Sequence, residues 1–217
     1  MIQRGGCGIG TAMILAGLFA GVLFLGIFIG DRLYFRTLSS EASHYGCRVG
    51  RAEDRLAFAS LTQTYACFDR LGLLALRYGV ARLFADTNRI LLRPRYPSLW
   101  AFLWMWPMKA TIDLRVEGQT LVLSSIKRIP WCSAILTAVW FFGVGLGTLV
   151  AIISYVSEGG LNSSGGILVG VGILALGLLF LFSGLITVVM AYRLESSRLA
   201  KVYEELRAVV DRTAATT

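Results

Sequence analysis

Residues 166–212, GILVGVGILALGLLFLFSGLITVVMAYRLESSRLAKVYEELRAVVDR, decide the fold. Residues 166–192 contain no Asp, Glu, Lys, Arg or His. As a helix they reach roughly 40 Å, more than the hydrocarbon core of about 30 Å. From Arg193 onward the composition turns polar, but the helical rhythm continues. Leu199, Val202, Leu206 and Val209 recur at i, i+3, i+7 and i+10, and Tyr203 and Val210 widen the stripe. Glu195–Arg198, Glu204–Arg207 and Arg207–Asp211 stand at neighbouring helical positions. The pattern predicts one helix that runs on out of its apolar phase and offers a stripe to a folded module or a partner.

Two further apolar runs, 9–30 and 132–156, are equally free of charge. The sequence therefore predicts an α-helical membrane protein with three spanning helices at 9–30, 132–156 and 166–192. Residues 1–8 form an N-terminal tail, 31–131 a soluble module, 157–165 a short loop and 193–217 a helical extension. The first run is too long for a cleaved signal peptide and no small-x-small site follows it, so it is expected to be a retained anchor. Of the 21 basic residues, all but Arg4 fall in 31–131 and 193–217. By the positive-inside rule those two regions are cytoplasmic, and the N-terminus and 157–165 lie outside an inner membrane. The same bias accounts for the net charge of +8 without a nucleic-acid partner.

Within 31–131 the hydrophobic period changes. Residues 52–58 read as the start of an acid-rich helix. Residues 78–95 read as two strands around a turn at Asp86-Thr87-Asn88. In 110–125, Ile112, Leu114 and Val116 alternate with Thr111, Asp113 and Arg115, and Glu117-Gly118 turns the chain toward Leu121 and Leu123. A small α+β module of about four antiparallel strands is expected. The hairpin rhythm over 78–128, with a flanking helix, resembles the bacterial pleckstrin-homology-like modules found beside membrane helices. That resemblance implies a lipid-binding or sensing role.

Glycines mark the apolar runs. Gly6/Gly10, Gly17/Gly21 and Gly26/Gly30 are GxxxG pairs, as is Gly166/Gly170. Such spacing lets helix backbones approach closely, so these eight are the candidate helix-packing residues. The stretch YPSLWAFLWMWPM (96–108) is too short to span a bilayer and too apolar for water. Trp100, Trp104 and Trp106 are expected at the membrane interface, with Arg93, Arg95 and Lys109 holding lipid phosphates.

Chemistry is sparse. His44 is the only histidine, and no nucleotide-binding, hydrolase or metalloprotease motif appears. The four cysteines lack CxxC spacing and read as free thiols. Neither a catalytic site, a cofactor, a metal nor a small-molecule substrate is expected. The sequence points to a non-catalytic accessory, assembly or scaffold subunit whose partners are other membrane protein subunits and anionic lipids. The alternative is a membrane-anchored lipid-binding or sensor adaptor.

Overall fold

The computed structural model describes residues 7–57, 61–96, 106–117 and 120–215. In chain order these form α1 (Cys7–Arg36), α2 (Ser40–His44), β1 (Cys47–Ala57), α3 (Leu61–Ala66), β2 (Leu73–Ala75), β3 (Gly79–Phe84), β4 (Arg89–Pro94), β5 (Lys109–Glu117), β6 (Thr120–Ile129), α4 (Trp131–Ser157) and α5 (Ser164–Ala215). A single 3₁₀ turn, Ala85–Thr87, joins β3 to β4. It ends on Asn88 at φ 50°, a left-handed conformation that asparagine tolerates.

Helices α1, α4 and α5 are long and apolar enough to cross a membrane. The most apolar windows of α1 and α4 bury 0% of their residues within the chain. Those faces need lipid or another protein rather than water. Helix α5 is unbroken over 52 residues and contains no proline. Glu158 and Gly159 close α4, with Gly159 at φ 77°, and α5 starts at Ser164, so the two helices form an antiparallel hairpin.

The expected four strands are six among the described residues. They form one antiparallel sheet in the order β1-β6-β5-β4-β3-β2. Strand β1 arises from the region read as an acid-rich helix. Its alternation is masked by charge: Arg51, Glu53 and Arg55 point to one face, Ala52 and Asp54 to the other. Charges on an edge strand discourage pairing with other chains, and they also disguise the period of two.

One face of the sheet is apolar and is roofed by the polar half of α5. Ala81 and Leu83 of β3, Ile90 and Leu92 of β4, Ala110, Ile112 and Leu114 of β5, and Leu121, Leu123 and Ile129 of β6 meet Leu199, Val202, Leu206 and Val210. Val210, fully buried, completes the helix stripe, and Val209 lies at its margin. At Gly79 a Cβ would lie 2.8 Å from a Val202 methyl, so glycine is what lets the helix come down on β3. Glu205 fixes the roof, since its two carboxylate oxygens accept the N–H groups of Arg77 (2.6 Å) and Tyr78 (3.1 Å).

Candidate functional site

The base of α1 is built on Asp31. Helix α4 begins after Pro130, whose side chain cannot cap the free N–H groups of the first turn. Asp31 supplies the missing acceptor from α1: its Oδ2 takes the Cys132 N–H at 3.1 Å, and its Oδ1 takes the Tyr45 hydroxyl. A carboxylate at a helix N-terminus is also favoured by the helix dipole. Next to it, Arg32 donates from Nη2 to Ser133 Oγ at 3.1 Å and lies over the Phe28 ring, 4.5 Å from its centroid. Both charged residues are buried. Burial and the neighbouring Asp31 push the Tyr45 phenol well above its ordinary pKa. From the sequence alone Asp31 is assigned no role. The available signal was its position, directly after an apolar run, paired with a second span that opens on Pro-Trp without a cap.

The glycines divide into two groups. In α5, Gly170, Gly177 and Gly184 recur every seven residues and face α4. A Cβ added at Gly170 would lie 3.5 Å from the Tyr155 ring. One at Gly177 would lie 2.9 Å from Thr148 Cβ, and one at Gly184 would lie 2.9 Å from Trp140 Nε1. Tyr155, Thr148 and Trp140 descend α4 at intervals of seven and eight residues, so bulky residues of one helix fill the gaps of the other. Gly166 sits at the turn, against the Gly160 carbonyl. In α1 the contrast is complete: at Gly17, Gly21, Gly26 and Gly30 an added Cβ would meet nothing within 4 Å. Gly10 lies in α1, and Gly6 lies outside the described residues.

Trp100 and Trp104 lie outside the described residues, but both ends of their stretch are placed. Tyr96 donates its hydroxyl to Glu195 Oε2 at 2.7 Å and accepts the Met108 N–H at 3.1 Å. Glu195 is itself buried, and its other oxygen takes Arg198 Nη1 at 2.8 Å. Burial and the adjacent carboxylate push the Tyr96 phenol well up. Trp106 lines a crevice of about 270 Å³ with Thr137 and Trp140 of α4 and Gly184 and Thr187 of α5. The stretch thus leaves and rejoins the fold beside α5, where that helix changes from apolar to amphipathic.

The expected phosphate ligands are placed differently from one another. Arg95 is exposed. Arg93 and Lys109 point instead at the segment 36–46, which crosses the sheet face opposite α5. Arg93 donates to the Arg36 carbonyl, and Arg82 to that of Leu38 at 2.6 Å. Lys109 donates to the Ala42 carbonyl and lies 4.1 Å above the Phe35 ring; Thr111 reaches the Ser43 carbonyl at 2.7 Å. Arg128 reaches the carbonyls of His44 (2.7 Å) and Gly46 (3.2 Å). Lys109 is 1% exposed, and this burial, with Arg128 nearby, lowers its ammonium pKa to about 7. The cations of this face strap the connection between α1 and β1 onto the sheet. Nothing in the sequence of 36–46 announces that role, because its backbone carbonyls are the groups being used.

Comparison with protein-family models, with curated proteins and with solved structures finds no match.

Proposed function

We propose that this protein is a non-catalytic accessory or scaffold subunit of a larger complex in the inner membrane. Its α1 receives a helix of another membrane protein subunit, and its sheet module, on the cytoplasmic side, is fixed to the membrane by α5. The observation that carries this reading is the difference between the two glycine sets. Gly170, Gly177 and Gly184 of α5 meet Tyr155, Thr148 and Trp140, whereas Gly17, Gly21, Gly26 and Gly30 of α1 border open space. Helix α1 is tied at its base by Asp31, Arg32, Phe35 and Arg36, and its most apolar window buries none of its residues within the chain, which leaves it open to a neighbour. GxxxG spacing favours close backbone contact once that neighbour arrives.

The test is recovery from mild detergent followed by mass spectrometry. A stoichiometric membrane partner is expected with the native chain. Gly17→Leu with Gly21→Leu should lose that partner while the chain keeps its melting temperature. Full partner recovery by the double variant would count against α1 as the docking helix.

A second reading, a lipid-binding adaptor, is favoured by one feature. Trp106 and Tyr96 bring the tryptophan-rich stretch to the level where α5 turns apolar, which suits an interfacial anchor. Quenching of Trp100, Trp104 and Trp106 by brominated lipid, with Trp131 and Trp140 replaced, tests it. Absence of quenching would place these indoles in protein and sink the adaptor reading.

A further inference from the structure

The register of the sheet lines up cations of one sign. Arg48 of β1 lies directly opposite Arg128 of β6, and Arg128 lies directly opposite Lys109 of β5. Arg93 of β4 follows one residue past the last paired position, Leu92–Ala110. Directly opposed residues share a face, so four neighbouring strands present four basic residues in one row, with no acid among them. Cross-strand neighbours of like charge repel at about 5 Å. The row lies at the end of the sheet from which α4 departs, since Arg128 precedes Trp131 by three residues.

Three members of the row are engaged by the carbonyls of 36–46. Arg48 is exposed and makes no side-chain hydrogen bond or ion pair with the described residues. Arg128 is 4% exposed, and its Nε is buried without a partner among the described residues. Two more groups are linked to the row through the segment 36–46, since Arg128 holds the His44 carbonyl. Arg89 forms an ion pair with Asp113 at 2.5 Å and contacts His44 Nε2. A guanidinium only donates, so His44 Nε2 is the acceptor and the ring proton sits on Nδ1, a second donor. The exposed His44 ring lies in the field of Arg89, Arg128 and Arg48, with Asp113 as the opposing acid. Three fixed positive charges against one negative leave a local surplus that carbonyl dipoles do not neutralise.

We propose that this corner, Arg48 backed by Arg128 and flanked by Arg89 and His44, binds a phosphate-bearing anion. The anion is either the headgroup of a phosphomonoester lipid in the adjoining leaflet or a free phosphate. Arginine forks match phosphate oxygens in pairs, which exposed lysines do not. The site is separate from the α1 docking face and from the tryptophan stretch, so its failure leaves both of those readings standing.

The test uses the full chain in detergent, titrated with phosphatidic acid, with phosphatidylcholine of the same chain length and with inorganic phosphate. Lipid retention is read by native mass spectrometry and phosphate binding by phosphorus NMR. Phosphatidic acid should bind in clear preference to phosphatidylcholine, and Arg48→Gln should weaken it by about tenfold, the value of a charge-assisted pair. Arg51→Gln, an exposed arginine on the same strand paired with Glu53, should leave binding unchanged. Inorganic phosphate binding that Arg48→Gln also weakens assigns the site to a free anion; binding of the lipid alone assigns it to a headgroup. Arg48→Gln should also raise the melting temperature of the ligand-free chain slightly, because it relieves repulsion, whereas a purely structural arginine would lower it. Equal retention of the two lipids without phosphate binding, or equal losses from Arg48→Gln and Arg51→Gln, would overturn the proposal.

Discussion

Helices α1 and α5 carry glycines in similarly apolar sequence, yet α5 uses its own to pack on α4 and α1 presents its own to the surroundings. The spacing separates them. Gly170, Gly177 and Gly184 repeat every seven residues, the interval that keeps one seam facing a neighbour in a left-handed antiparallel pair. Gly17/Gly21 and Gly26/Gly30 repeat every four, the interval of close right-handed crossings. Glycine density alone therefore says little about packing. What closes a seam is the partner's bulk at the complementary interval, here Tyr155, Thr148 and Trp140.

The largest expected effect breaks the closed seam. Gly177→Leu must displace Thr148, whose Cβ lies 2.9 Å from the nearest branch point a side chain could have. Overpacking of this sort costs about 3 kcal/mol, measurable as a fall in melting temperature in detergent. If Gly177→Leu melted like the native chain, the α4–α5 seam described above would be wrong. Next comes the junction at the base of α1. Asp31→Ala strips acceptors from Cys132 N–H and the Tyr45 hydroxyl and should cost about 2 kcal/mol by the same measurement; Asp31→Asn, which keeps one acceptor, should cost less.

A smaller effect depends on pH and concerns the strap between α1 and the sheet. Burial lowers the Lys109 pKa from 10.5 to about 7 in the folded chain, with Arg128 contributing to the fall and Asp31 opposing it. Between those two values the unfolded chain binds one proton more than the folded chain, so stability rises with pH across that window. The slope approaches about 1.4 kcal/mol per pH unit at most, and below pH 7 it vanishes because both states are protonated. Lys109→Met should flatten it, as read from denaturant midpoints across the window. The smallest expected effect is the other side of the first comparison. Gly17→Leu and Gly21→Leu should leave the melting temperature of the isolated chain unchanged, since an added side chain meets nothing. A drop comparable to that of Gly177→Leu would show that α1 packs within its own chain.

The apolar helices and the hairpins were legible from local signals: unbroken apolar runs for the helices, the turn at Asp86-Thr87-Asn88 for one hairpin, and alternation around Glu117-Gly118 for the other. The roof was legible for the same reason, from Leu199, Val202 and Leu206. Strand β1 was hidden because Arg51, Glu53, Asp54 and Arg55 point to alternate faces of an edge strand without alternating in polarity. The Asp31 junction and the carbonyl strap were hidden for a deeper reason. Both depend on side chains meeting backbone groups 44 to 101 residues away, and a backbone group carries no identity in the sequence.

Helix α5 has a mechanical consequence. At 52 residues it is a rod of about 78 Å, gripped at one end by α4 and bolted to the sheet at the other by Leu199, Val202, Leu206, Val210 and Glu205. Spanning helices tilt to match the thickness of the bilayer around them. With no hinge between grip and bolt, a tilt of roughly 10° sweeps the far end sideways by about 6 Å over its last 23 or so residues, taken at helical rise. In the membrane arrangement proposed above, a change in local thickness would become lateral travel of the sheet, as at the end of a lever.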